Sequence, residues 1–363
     1  MNSRLPPEHR PNRPESRVLR PITAGQPLYA AVVSLALLLA AGCSSNVVDA
    51  PPPTIEPAQA AVSPPVTQQP DGQVRPLASP GQAAVFDPAT RQLAVLSTDA
   101  EGQSAVALLG QDSRPPVTVP LGANAAALAG DGKGGLLLST RGGYFRVDLT
   151  AATPAPARVD VDGKGDVDFT AIAVREDGRV VLGSADGAVY TLTGDGGVDA
   201  ELKIFARVDS LVTQGNTAIV LDRGQTSVTT VDPSGTKAAH ALRAGEGATT
   251  IATDPRGLLL VADTRGDGLL VYSVDPLILR QRSPVRGAPY GLAGSANLVW
   301  VSETSTNTVI GYDLSTGIPV EKVRYRTVQQ PNSLAYDETS GTLYVVSATG
   351  AGVQVIPDAT VGP

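Results

Sequence analysis

The sequence predicts an all-β protein whose folded part is a seven-bladed β-propeller over residues 81–357. Three observations carry that expectation. Similar segments recur seven times, among them AAVFDPATRQLAVLS, TTIATDPRGLLLVAD and NSLAYDETSGTLYVVS. Aligned on Phe86, Leu128, Ile172, Val212, Ala252, Leu292 and Ala335, they step by 42, 44, 40, 40, 40 and 43 residues, the period of a four-stranded blade. Within each unit, short apolar and β-branched runs are broken by Gly, Asp, Asn or Pro, and no helical stripe persists. Helical repeats of similar period would be interrupted by those same turns.

The elements begin with an export signal at residues 1–42. Arg4, Arg10, Arg13, Arg17 and Arg20 precede an apolar run from Leu28 to Gly42. That run is about 15 residues long, where a membrane-spanning helix needs about 20. Cys43, the only cysteine in 363 residues, follows at once. The stretch AAGC resembles the lipobox of bacterial lipoproteins, with Leu39 one place earlier than the usual position. The resemblance implies a diacylglyceryl group on the Cys43 sulfur, palmitate-type acylation and cleavage just before the cysteine. Two or more acyl chains, at about 0.8 kcal/mol per buried methylene, hold a protein stably on a bilayer. The expected location is the outer face of the cytoplasmic membrane or the cell surface.

The chain carries 28 Lys and Arg against 35 Asp and Glu, a net charge of −7. The signal holds five arginines against Glu8 and Glu15, so its loss leaves about −10. Such a balance is poorly matched to nucleic acid or to an anionic membrane face, whose binding rests on Lys and Arg neutralising phosphates.

Residues 43–80 hold the acylated cysteine and a segment with nine prolines between Pro51 and Pro80. That composition reads as an extended spacer lifting the propeller from the membrane, or as a disordered tail with no spacing role. The repeats follow. In the fifth, TTIATD, LLLVAD, LLVYSV and LILRQRS are four successive strands separated by turns. The seventh stops at VQVI and lacks an outer strand, while residues 74–77 precede the first blade unassigned. These residues are expected to supply that missing strand and close the ring, with Pro76 at an edge where its absent donor faces solvent.

The units APYGLAGSANLVWVSETSTNTVIGYDLSTG and QPNSLAYDETSGTLYVVSATGAGVQVI resemble NHL and YVTN-type repeats of bacterial extracytoplasmic propellers. The matching features are Pro289 or Pro331 before the inner strand, the apolar second strand, Asn307 in the next loop, and Tyr312-Asp313 on the third strand. The chain as a whole resembles actinobacterial, mycobacterial-type surface lipoproteins. The resemblance covers residues 83–356 and implies architecture rather than activity.

Catalytic signals are sparse. Of two histidines, His9 falls in the signal and His240 lies in KAAHALR, an expected outer strand, so a multi-histidine metal site is excluded. With Cys43 acylated there is no thiol nucleophile, and no G-x-S-x-G elbow occurs. The string DVDGKGDVD places Asp160, Asp162, Asp166 and Asp168 near one another, but Lys164 and Ala171 stand where an EF-hand needs ligands. It reads as an acidic connection between blades, with irregular calcium binding as the alternative; no cofactor is otherwise expected. TRGDG contains Arg-Gly-Asp, resembling an integrin motif at the weak level of three residues. Its glycines are expected to serve turn conformations.

In a propeller, loops from second to third strands and from outer strands to the next blade open on one face. That face is expected to carry Asp99, Glu101, Arg141, Asp186, Asp222, Arg223, Asp263, Arg265, Asp267, Arg286, Tyr290, Glu303, Asn307 and Asn332. Loops vary while the stacked sheets stay rigid, so binding sites concentrate there. The expected function is non-catalytic binding or scaffolding of an envelope protein, peptide or glycan by a monomeric domain. The alternative is a lactonase-like or other hydrolase using acidic residues at the channel mouth, with or without calcium.

Overall fold

The computed structural model describes residues 52–363 apart from Ser113 and Asp195; Cys43 and the export signal expected at 1–42 lie outside the described residues. The first strand, β1 (Gln73–Arg75), precedes seven groups. Blade 1 is β2 (Gly81–Asp87), β3 (Gln92–Thr98), β4 (Ser104–Leu109) and β5 (Val117–Pro120). Blade 2 is β6 (Ala127–Gly130), β7 (Gly135–Thr140), β8 (Gly143–Asp148) and β9 (Pro156–Asp160). Blade 3 is β10 (Phe169–Val174), β11 (Val180–Ser184), β12 (Ala188–Leu192) and β13 (Val198–Lys203). Blade 4 is β14 (Ser210–Gln214), β15 (Thr217–Asp222), β16 (Ser227–Val231) and β17 (Ala238–Arg243). Blade 5 is β18 (Ala248–Thr253), β19 (Leu258–Asp263), β20 (Gly268–Val274) and β21 (Leu277–Pro284). Blade 6 is β22 (Pro289–Gly294), β23 (Val299–Glu303), β24 (Thr308–Asp313) and β25 (Val320–Arg326). Blade 7 is β26 (Pro331–Asp337), β27 (Thr342–Ser347) and β28 (Val353–Ile356), completed by β1.

Each blade is a four-stranded antiparallel sheet, and the inner strands neighbour one another around a closed ring, the last meeting the first. The fold is a seven-bladed β-propeller, and the four strands expected in the fifth repeat are β18 to β21. Seven apolar clusters fill the seven seams. Their geometry explains why second strands lack polar alternation. In β19, Leu259 and Val261 face the seam to blade 4, whereas Leu260 and Ala262 face the seam to blade 6. With both faces covered, the strand is apolar at every position before its terminal Asp263.

Ring closure follows the expected scheme with boundaries slightly earlier. The outer strand of blade 7 is Gln73–Arg75 rather than residues 74–77, with Gln73, Val74 and Arg75 opposite Val355, Gln354 and Val353. Pro76 lies just past the strand, where no ladder donor is needed. Gly72 permits the approach: its φ is 77°, and a Cβ there would stand 2.3 Å from the Val355 carbonyl oxygen. The fully buried Gln354 anchors the same corner, donating to the carbonyls of Asp71 (2.6 Å) and Arg326 (2.8 Å) and accepting from the Val328 amide (3.0 Å).

The described part of the proline-rich segment does not stand off the ring. Residues 54–71 lie along it as an extended strap. The Ile55 amide donates to the Gly224 carbonyl at 2.8 Å, and Asp71 pairs with Arg326. Ala58 and Ser63 are buried. Proline-rich chain suits such a role because its carbonyls remain available to accept while fewer of its own donors need partners.

Candidate functional site

The strap crosses the face formed by second-to-third-strand loops and blade-to-blade connections. Besides Gln354 at Asp71, five side chains of the ring donate to its carbonyls between Glu56 and Pro64. Arg265 Nη2 reaches Glu56 at 2.7 Å, Arg223 Nη2 reaches Ala58, and Gln330 Nε2 reaches Ala61 at 2.9 Å. Gln329 Nε2 reaches Ser63 at 3.1 Å, and Asn307 Nδ2 reaches Pro64 at 2.8 Å. Ser63 is held most closely. Its amide donates to Gln330 Oε1 at 3.0 Å, its hydroxyl donates to the Thr304 carbonyl at 2.5 Å, and its Oγ accepts from the Gln330 amide at 3.1 Å. Three residues expected on a binding face, Arg223, Arg265 and Asn307, therefore bind this chain's own N-terminal segment.

Local backbone geometry positions those donors. Asn307 has φ 52° at the end of its turn, a conformation asparagine tolerates, and its Oδ1 accepts from the Gln330 amide at 3.2 Å. In TRGDG the left-handed residue is Asp267, with φ 47°. Gly266 serves a different need from the one expected of it. A Cβ there would stand 2.1 Å from an Asp263 carboxylate oxygen.

Several expected face residues point into the ring. Asp222 accepts from the amides of Ala206 (2.8 Å), Arg207 (3.3 Å) and Gln225 (2.9 Å). Asp263 Oδ1 accepts from Gly247 (2.8 Å), Glu246 (3.0 Å) and Gly266 (3.1 Å). Glu303 Oε2 accepts from Arg324 Nη1 (2.9 Å), Thr308 Oγ1 (2.7 Å) and Thr306 Oγ1 (3.2 Å). All three carboxylates are buried and fasten loops rather than meet solvent.

The remaining positions divide by environment. Asp99 caps its own turn through the Glu101 and Gln103 amides, leaving the Glu101 side chain exposed. Asp186 pairs with Lys203 at 2.6 Å; hydrogen bonds from Lys203 and Ser184 hold its carboxyl below the usual range. Arg286 is exposed, and Asp267 accepts from the Ala288 amide at 3.3 Å. Tyr290 and Asn332 line the axial channel, where Asn332 Oδ1 accepts from Gln330 Nε2 at 3.0 Å.

That channel encloses about 390 Å³ and takes Gln82, Ala127, Thr170, Asp209, Thr250, Tyr290 and Asn332, one from each blade, into its wall. Asp209 was not foreseen from the sequence. Its carboxylate accepts from the Arg223 amide at 2.8 Å and pairs with Arg207 at 3.2 Å, yet burial pushes its pKa upward.

The acidic string opens differently. Asp160 pairs with Arg158 at 2.7 Å and Asp166 with Arg141 at 3.2 Å, while Lys164 reaches Glu201 at 2.8 Å. Asp162 and Asp168 are exposed. Among the described residues, no group of three or more His, Cys, Asp or Glu side chains is placed to hold a metal ion. His240 sits exposed on outer strand β17.

No protein-family model matches the chain, and no curated protein matches it by sequence. Solved structures match the fold. A streptogramin B lyase aligns with TM-score 0.58 and 11% identity over 78% of this chain and 97% of that one. A chain of the mitotic checkpoint complex aligns with TM-score 0.64 and 13% identity over 84% and 99%. A chain of Kuenenia stuttgartiensis hydrazine synthase aligns with TM-score 0.62 and 15% identity over 80% and 99%. At these identities the likeness establishes the β-propeller and nothing finer.

Proposed function

We propose that this chain is an exported lipoprotein, acylated at Cys43, whose NHL- and YVTN-like propeller binds or scaffolds an envelope protein, peptide or glycan without catalysis. The observation that carries the reading is the strap itself. A face that supplies five side-chain donors to successive carbonyls of an extended segment is chemically suited to polypeptide recognition. Its most buried carboxylates, Asp222, Asp263 and Glu303, are committed to holding loops. With 54–71 in place, the face offered to a partner is composite: it includes strap side chains such as Val62, which is 90% exposed, as well as the exposed loop residues Glu101, Asp267 and Arg286.

Two experiments test the two halves. Cys43→Ala should abolish incorporation of labelled fatty acid and release of the signal; a labelled, processed, membrane-bound Cys43→Ala product would refute the anchor. Photo-crosslinkers placed at Glu101 and Arg286 should capture a common envelope component that a crosslinker at Lys133, on the opposite face, does not. Equal capture at all three positions would refute a face-specific partner.

Asp209 supports a second reading, a hydrolase working at the channel mouth. A desolvated carboxyl beside arginines is the kind of group general acid-base chemistry uses. The named neighbours include a lyase and an assembly component, so the fold does not choose between the readings. Turnover of a lactone or aryl ester that disappears in Asp209→Asn would select the hydrolase.

A further inference from the structure

We infer that the outer rim of blades 4 and 5 is a docking surface for anionic lipid headgroups. The inference deepens the anchored reading above and rests on it. Strands β17 and β21 carry Arg243, Arg280 and Arg282, and neither strand contains an acidic residue. Among the described residues, none of these three arginines is in an ion pair. The contrast with other outer strands is plain. Arg158 on β9 pairs with Asp160, Lys203 on β13 with Asp186, and Arg324 and Arg326 on β25 with Glu321 and Asp71.

The two strands adjoin across the seam. The Tyr272 hydroxyl donates to the Arg243 carbonyl at 2.9 Å; the Arg243 side chain lines the groove on the blade 3 side of β17, and Arg282 lies opposite Leu270 of the blade 4–5 seam. Beside the arginines, Ile278 and Leu279 are 43% and 44% exposed. Exposed aliphatic side chains set among arginines suit a bilayer interface, where the guanidinium groups meet phosphates and the apolar groups enter the acyl boundary.

The path of the chain selects this occupant. Pro53 lines a groove with Ile204 and Phe205, which follow blade 3, and with Arg243 of blade 4, and Ile55 meets Gly224, so the described chain starts beside blade 4. Cys43 precedes Pro53 by ten residues, a reach of at most about 36 Å when fully extended. An acyl anchor at Cys43 would therefore tether the ring from the blade 4 side. The net negative charge of the remaining surface would favour the same orientation, since anionic lipid repels it.

The test uses residues 52–363, which contain every strand of the closed ring and no cysteine. An environment-sensitive dye is placed on Ser283→Cys at the rim or on Thr118→Cys, exposed on the outer strand of blade 1. An N-terminal hexahistidine tag tethers the protein to nickel-chelating vesicles in place of the acyl group. Vesicles containing phosphatidylglycerol should shift the dye at 283 and not at 118, and phosphatidylcholine vesicles should shift neither. The triple variant Arg243→Glu, Arg280→Glu, Arg282→Glu should lose the shift at least about tenfold in lipid concentration, while circular dichroism confirms an unchanged fold. No shift at 283, an equal shift at both positions, or an equal shift on neutral vesicles would each overturn the inference. So would a response at 283 to polyglutamate but not to vesicles, which would reassign the rim to an acidic protein. Because the tag replaces the lipid, these outcomes are independent of Cys43 acylation, which the labelling experiment decides separately.

Discussion

At the residue scale, the ring holds its loops with buried carboxylates, and their removal should be costly. Asp263 accepts three backbone amides at zero exposure. Asp263→Ala leaves those donors unsatisfied, and a loss of about 3 kcal/mol is expected, read as a lowered denaturant midpoint. An unchanged midpoint would show that the connection relaxes to water. Asp209 gives a prediction of opposite character. Burial raises its pKa in the folded state, so the folded protein holds the proton more tightly than the unfolded chain. Its charge therefore costs stability at neutral pH, and that cost is relieved as pH falls through the raised value. Against Asp209→Asn, the melting temperature of the natural protein should gain ground as pH is lowered from neutral towards the ordinary carboxylate value of 3.8. A pH-independent difference would contradict the assignment. Asp186 runs the other way: its lowered pKa contributes stability present above 3.8 and lost as pH falls through the folded value, a small effect for an exposed pair. From sequence, an aspartate ending a strand looks the same whether it faces solvent or holds the next connection. Asp222, Asp263 and Glu303, each ending a second strand, therefore read from sequence as residues of an open face.

At the element scale, second strands such as LLLVAD were legible because burial on both sides leaves a continuous apolar run, and the missing outer strand of blade 7 was legible from the strand count of the other six. The strap was not. Its partners lie on blades 4 to 7, more than 160 residues away, and no local pattern in a proline-rich segment announces acceptors for distant side chains. Composition alone would make deletion through residue 70 silent. The structure instead predicts two steps. Removing residues 52–70 strips partners from Gln330, Arg223 and Asn307 and uncovers the sites of Ala58 and Ser63, which should lower the melting temperature by several degrees. Extending the deletion through Leu77 also removes β1, leaving β28 as an open edge, and should bring a larger loss or chain association. Equal melting temperatures for the full and both shortened chains would contradict this description of the segment.

At the scale of the whole molecule, a closed ring with seven apolar seams gives a rigid body on which loops, strap and rim can carry separate tasks. The period of about 40 residues foretold that body, whereas charge distribution over its rim emerged only when strands from different repeats were brought side by side. The net negative charge argued against an anionic membrane face for the surface as a whole, but averaging concealed the acid-free strands β17 and β21. The N-terminal segment is a built part of the loop face, so that a partner of that face would meet strap and ring together. Amide hydrogen exchange of the Ser63 N–H tests it most directly, because that donor is buried on Gln330. Protection of Ser63 by several orders of magnitude over a free chain, lost in Gln330→Ala while β19 stays protected, is the predicted result. Exchange of residues 54–71 at free-chain rates in the natural protein would contradict the account.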